Sequence, residues 1–168
     1  MDTKDNAGSA QPEAGIQAML NINSQFIKDL SFEVPNGAQT FAALQKTQPN
    51  ITLNLDANAT PLNEADGIFE VNLQIKAECK IGEMVGFIVE LAYAGIFTVK
   101  VPKEHLGPVL LIECPRLLFP FARNILADVT RDGGFPPLMM GIVDFAGLYQ
   151  ARINEMAKQQ AGAPVGTA

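Results

Sequence analysis

Side chains able to do chemistry are few in this chain, and they are scattered. The single histidine, His105, stands in the segment Val101-Pro102-Lys103-Glu104-His105. No Cys, His or Asp flanks it at the short spacing that metal donors take, so it is expected to be a loop residue. Asp128 and Asp132 are four residues apart, which on a helix stacks two carboxylates on one face and could make an acid–base pair. Arg131 stands beside them, so solvated surface charge is the simpler account. Glu70 and Glu78 lie too far apart along an extended segment, roughly 26 Å, to share a proton. Gly133-Gly134 follows a helical segment instead of opening one, so it does not form a phosphate cradle. No Gly-x-Ser-x-Gly nucleophile elbow occurs. Cys79 and Cys114 are expected to be buried thiols acting as small apolar residues. The chemistry points to a binding protein, with no catalytic residue, metal site or cofactor expected.

The candidates for binding are apolar. One set is Met84, Ile88, Ala92 and Ile96, and the other is the aromatic and methionine content around Phe119, Phe121, Phe135, Met139 and Met140. Flexible methionines and aromatics suit a surface that accepts many partner sequences. Ordinary core packing is the competing account for each of them.

The elements that must position these residues are legible as periodicities. From Leu20 to Val34 apolar and polar residues alternate, with a slip near Ile27 and Lys28 that reads as a bulge. Pro35-Asn36-Gly37 ends this strand as a turn. Ile51, Leu53 and Leu55 mark a short second strand. In residues 69–80, Phe69, Val71, Leu73, Ile75, Ala77 and Cys79 share one face, and Glu70 to Lys80 supply a polar opposite face, as in an antiparallel sheet with one side buried. Ile81-Gly82 makes a tight connection. The next strand, 84–99, is apolar on both faces apart from Glu90, which suggests a surface covered by a partner. Pro115 to Arg131 has helical spacing, with Pro115 and Pro120 placed near the start and Gly133-Gly134 stopping it. Asp144 caps a last helix with the stripe Leu148, Tyr149, Ile153 and Met156. Strands first and helices afterwards define an α+β fold, with two helices packed on one face of a four-stranded antiparallel sheet.

With 168 residues, 48% of them hydrophobic, the chain can form one domain with a sizeable core. Its net charge of −6 and pI near 4.7 argue against a nucleic-acid partner, which needs clustered Lys and Arg, and lean towards basic partners. No apolar run is long enough to span a bilayer, and no signal pattern opens the chain, so a cytoplasmic location without membrane insertion is expected. The polar stretch 1–16 is expected to be a disordered tail, 17–156 the folded domain, and 157–168 a flexible C-terminal tail.

Four blocks resemble the SecB family of protein-export chaperones. These are Lys28-Asp29-Leu30-Ser31-Phe32-Glu33-Val34-Pro35-Asn36, Gly95-Ile96-Phe97, Cys114-Pro115-Arg116-Leu117-Leu118-Phe119-Pro120-Phe121-Ala122-Arg123, and Gly134-Phe135-Pro136-Pro137-Leu138. They fall in the family's order and cover the chain from about Leu20 to Met156. The resemblance implies a homotetramer, a dimer of dimers with helices between two eight-stranded sheets. It implies no enzymatic activity and no cofactor, with unfolded precursor proteins as clients and the SecA translocation ATPase as the recipient. Carried over residue by residue, it assigns SecA binding to Asp29, Glu33, Ile88 and Glu90, and tetramer stabilisation to Val89, Leu91 and Tyr93. The client groove is expected to draw on Phe135, Leu138, Met139 and Met140. The segment 42–48 lacks the crossover tryptophan that some relatives carry. Two further classes remain at this point: a small-ligand enzyme with an acidic base, and a structural subunit of a larger assembly.

Overall fold

A computed structural model describes residues 19–161, with side chains to residue 159. Four strands, β1 (Met19–Glu33), β2 (Asn50–Asn63), β3 (Ile68–Ile81) and β4 (Met84–Lys100), form one antiparallel sheet in the order β1-β4-β3-β2. β3 and β4 are central, and β1 and β2 are the edges. The one-sided alternation of β3 does what it predicts: Phe69, Val71, Leu73, Ile75, Ala77 and Cys79 are all buried. Ile81 pairs with Met84 across the tight turn, where Gly82 takes the left-handed conformation (φ 61°) that residues with a Cβ avoid.

The bulge expected near Lys28 is present, as a register shift between Ile27 and Asp29. A second shift lies between Ile22 and Ser24. Each shift exchanges the faces of the residues that follow it. Because of the shift at Lys28, Asp29, Ser31 and Glu33 point outward, away from the helices, in register with Ala92, Glu90 and Ile88. β2 is longer than the sequence suggests. It runs on through Pro61, which an edge strand tolerates because a proline without an amide hydrogen can face outward there.

The crossover from β1 to β2 contains a short helix, α1 (Ala38–Leu44). After β4 a continuous helical path begins at α2 (Lys103–Pro108), passes through a π-helical turn at Val109–Glu113, and continues as α3 (Cys114–Asp132). Pro115 and Pro120 are therefore interior to the path, not near its start. Pro115 would collide with the carbonyl of Leu111 in a regular α-helix, and the widened turn just before it, where the Cys114 amide bonds the Val109 carbonyl, relieves that conflict. Pro120 lies on the exposed side of α3, where bending is cheapest.

α3 ends in a Schellman arrangement. The amide of Phe135 bonds the Thr130 carbonyl at 3.0 Å, and the amide of Gly134 bonds the Arg131 carbonyl at 3.0 Å, with Gly134 at φ 89°. Phe135, delivered by this turn, packs against Phe87 (4.8 Å between ring centroids), Phe41 of α1 (5.2 Å) and Phe32 of β1 (6.2 Å). One aromatic residue thus ties four parts of the chain together.

The last helix, α4 (Phe145–Ala161), is capped by Asp144, whose Oδ1 accepts from the Gly147 amide at 3.0 Å. It passes the expected boundary at Met156 and continues to Ala161. Its expected stripe is largely open: Leu148, Ile153 and Met156 are exposed and Tyr149 is half-buried, and among the described side chains of the helix Phe145 alone is fully buried. α4 leans on the π-helical turn and the edge of β2 and does not cover the sheet. The fold is α+β, as expected, with α3 as the main helical cover of the sheet. The expected disordered segment 1–16 lies outside the described residues.

Candidate functional site: two opposed surfaces of one sheet

The outward face of the sheet is built from rows that cross all four strands. One row is Asp29, Ala92, Gln74 and Asp56. The adjacent row is Ser31, Glu90, Lys76 and Asn54. Glu33 and Ile88 share the next. Asp29, Glu33, Ile88 and Glu90 therefore lie together on one face, each within two rows of the others. The small side chain of Ala92 leaves a shallow depression of about 350 Å³ between the larger residues of these rows.

Among the described residues three cations on this face are engaged, and Lys100, at the far end of β4, is not. Lys76 is ion-paired with Glu90, Lys28 with Glu70, and Lys80 with Glu78. Lys28 projects from the bulge and reaches over β4 to β3. The hydrogen bond that Lys76 donates to Glu90, together with the carboxylate's charge, holds the Lys76 ammonium above its ordinary pKa. Among the described residues Asp29 and Glu33 take part in no ion pair, so both present uncompensated negative charge.

The helix-facing side is apolar across all four strands, but α3 covers mainly its centre. Val89, Leu91 and Tyr93 lie under α3 and are 0%, 2% and 7% exposed. They stabilise the core of this chain directly and can reach a second copy only through what packs on them. Tyr93 does so by stacking with Phe121 of α3 (6.4 Å between centroids, 17° between planes). Phe121, Leu117 and, on the uncovered edge, Ile27 are exposed.

The four expected groove residues do not share one groove. Phe135, Leu138 and Met140 are buried, and Met139 is 63% exposed. Met140 borders a trough of about 530 Å³ with Leu53, Leu55, Ile142 and Leu148. Met139 points elsewhere, into a hollow beside Pro120, Arg123 and Ala127. Neighbours in an extended loop project to opposite sides, so a cluster in sequence is split in space. Ile142, fully exposed, is an apolar residue that sequence reasoning missed. Leu53 and Leu55, which mark the second strand in the sequence, line this trough, and their inward direction follows from pairing with Ala77 and Ile75.

His105, expected in a loop, lies exposed in α2. Arg131 contacts Asp128 at 2.9 Å and Asp132 at 3.2 Å, which makes the carboxylate pair a surface ion cluster. Both cysteines are free thiols and buried. Among the described residues no group of three or more His, Cys, Asp or Glu could hold a metal ion, and no helix is long and apolar enough to cross a membrane.

An acidic sheet face backed by apolar troughs defines a protein that works by binding other chains. The comparisons with known proteins make this specific. A family model described as the preprotein translocase subunit SecB matches residues 13–156. The chain is 55% identical over 145 residues to the protein-export protein SecB of Rhodospirillum rubrum, covering 86% of this chain and 89% of that one. It is 52% identical over 141 residues to the SecB of Paramagnetospirillum magneticum, covering 84% and 90%. A SecB-like chaperone of Mycobacterium tuberculosis, solved with a peptide from an antitoxin, shares the fold at TM-score 0.62 and 14% identity, over 74% of this chain and 91% of that one. The chain belongs to the SecB family of protein-export chaperones.

Proposed function

We propose that this chain holds unfolded precursor proteins in a translocation-competent state and passes them to the SecA translocation ATPase. It does so in the cytoplasm as a homotetramer, a dimer of dimers, without catalysis and without a cofactor. The observation that carries this is the division of labour across one sheet: uncompensated acid outside, uncovered apolar surface inside. Clients of unrelated sequence cannot be recognised by a fixed set of hydrogen-bonding side chains. They can be held by apolar surface, which contributes about 25 cal/mol per Å² removed from water and has no directional demand.

The client surface is the trough along β2 and the loop before α4, with Leu53, Ile142 and Leu148 as its accessible lining and Met140 at its wall. Phe135 and Leu138 are buried and do not line it. The recipient docks on Asp29, Glu33, Ile88 and Glu90, where exposed carboxylates attract basic side chains through screened charge. A second copy covers the exposed Leu117 and Phe121 of α3, with Val89, Leu91 and Tyr93 fixing that helix from beneath.

Calorimetry with a chemically unfolded precursor at several temperatures tests the holding step. Apolar burial predicts a negative heat-capacity change, suppression of aggregation without ATP, and no binding of the folded precursor. A heat-capacity change near zero, or equal affinity for the folded form, would overturn it.

A further inference from the structure

The proposed docking face has an occupant already, and it belongs to the chain itself. Lys76 and Glu90 stand directly opposite each other on β3 and β4 and form an ion pair. Both side chains are about half exposed, at 51% and 46%. Such a pair is held weakly, because water and salt screen it and two long side chains must be ordered to make it. The ammonium of Lys76 thus stands where a partner's cation would meet Glu90.

The neighbouring row offers room for that cation. Ala92 floors the depression, and Asp29 and Asp56 stand at its two ends. At the usual spacing of about 4.8 Å between neighbouring strands, these two carboxylates are about 14 Å apart. That span receives one long basic side chain, with Asp29 on one flank and, on the other, Asp56, which lies 3.9 Å from the Arg152 guanidinium. Lys76 is on the rim of the same depression.

We infer that Lys76 is a built-in competitor for the basic partner: its ammonium occupies Glu90 in the free chaperone, and a lysine or arginine of the partner displaces it and enters the depression over Ala92. Lys76 then sets the affinity of docking without contributing to it. This rests on the docking role proposed for Glu90. It adds Asp56, a β2 residue outside the carried-over set, as the far wall of the site.

The test compares four full-length variants for binding purified SecA by calorimetry at low ionic strength, with tetramer mass and circular dichroism as folding controls. Lys76→Gln frees Glu90 and should tighten binding about fivefold, the upper range for one exposed ion pair. Lys80→Gln removes the same charge from the same face, at the ammonium lying 3.2 Å from Glu78, and should tighten binding less. Glu90→Gln should weaken binding. In Glu90→Gln/Lys76→Gln the gain from removing Lys76 should vanish, because no competition is left to relieve. Equal gains from Lys76→Gln and Lys80→Gln would reduce the effect to net charge and overturn the competitor role. A gain that persists in the double variant, or no gain at all, would overturn it too. Unchanged binding by Glu90→Gln would instead remove the docking assignment on which it rests.

Discussion

Arg152 of α4 donates from Nη1 to the main-chain carbonyl of Ala57 on the edge strand β2, 2.7 Å away. Asp56 lies near the same guanidinium, at 3.9 Å. Little else ties down the middle of α4, whose flanking side chains are exposed. Helices with few buried contacts open at low free energy. Arg152→Ala should remove about 1 kcal/mol of local stability, which raises amide exchange in the middle of α4 about fivefold and leaves α3 unchanged. Hydrogen exchange read by mass spectrometry checks this. Unaltered exchange in α4 would show that the helix is held elsewhere.

Thr130 is a second tether, this one in the core. Its hydroxyl is fully buried, donates to the Leu126 carbonyl at 2.8 Å and accepts from the Leu138 amide at 2.9 Å. It fixes the loop after α3 to the helix end. Valine has the same shape and neither function, so Thr130→Val leaves the Leu138 amide buried without a partner. The expected loss is about 1–3 kcal/mol in urea unfolding. A midpoint equal to the parent's would mean that the amide finds another acceptor.

How much of this was legible in the sequence depends on the register each feature needs. β3 announces itself because one face is wholly apolar and the other polar. Asp29 and Glu33 share one face, as the alternation between Leu20 and Val34 implies, since no register shift falls between them. The bulge at Asn23 was not legible, because Asn21, Asn23, Ser24 and Gln25 give no apolar rhythm to slip against. The pairing of Lys76 with Glu90 was not legible either. Counting back from Ile81 opposite Met84 puts Lys76 opposite Val89. The register shift between Cys79 and Lys80 moves it to Glu90. The Met139–Met140 pair misled for a related reason: adjacency in sequence separates side chains in an extended segment.

Burial also changes what a test of assembly must be. A charge at Leu91, which is 2% exposed under α3, should destroy cooperative folding, since an unpaired buried charge costs several kcal/mol. A charge at exposed Phe121 should leave the fold of the single chain intact and remove apolar surface from the proposed interface. Phe121→Asp is therefore expected to retain its circular dichroism spectrum and to fall below four times the 18.0 kDa chain mass in light scattering. A Phe121→Asp particle of unchanged mass would place the interface elsewhere.

The two thiols give a pH prediction with a definite sign. Burial raises the pKa of Cys79, opposed in part by a backbone hydrogen bond at Phe87. Burial, with a smaller contribution from the Glu113 charge, pushes Cys114 up to about 12. In the unfolded chain both titrate near about 8.5. Below that pH both states hold their thiol protons and the cysteines add no pH dependence. Above it the unfolded state loses protons that the folded state keeps, so stability falls as pH rises from about 8.5 towards about 12. Lysines and tyrosines titrate in the same range, Tyr93 with its pKa also raised by burial, so the measurement must be a difference. Cys114→Ala should lower stability at neutral pH through the cavity it opens and yet show a shallower loss between pH 9 and 11 than the parent (roughly the interval the two pKa values bracket). Urea melts across that interval measure it, and alkylation kinetics supply an independent check, because a protonated, buried thiol is inert to iodoacetamide until the chain unfolds. Rapid labelling of native Cys114, or parallel pH slopes for the two proteins, would mean that the thiol at the start of α3 is not sealed in the core.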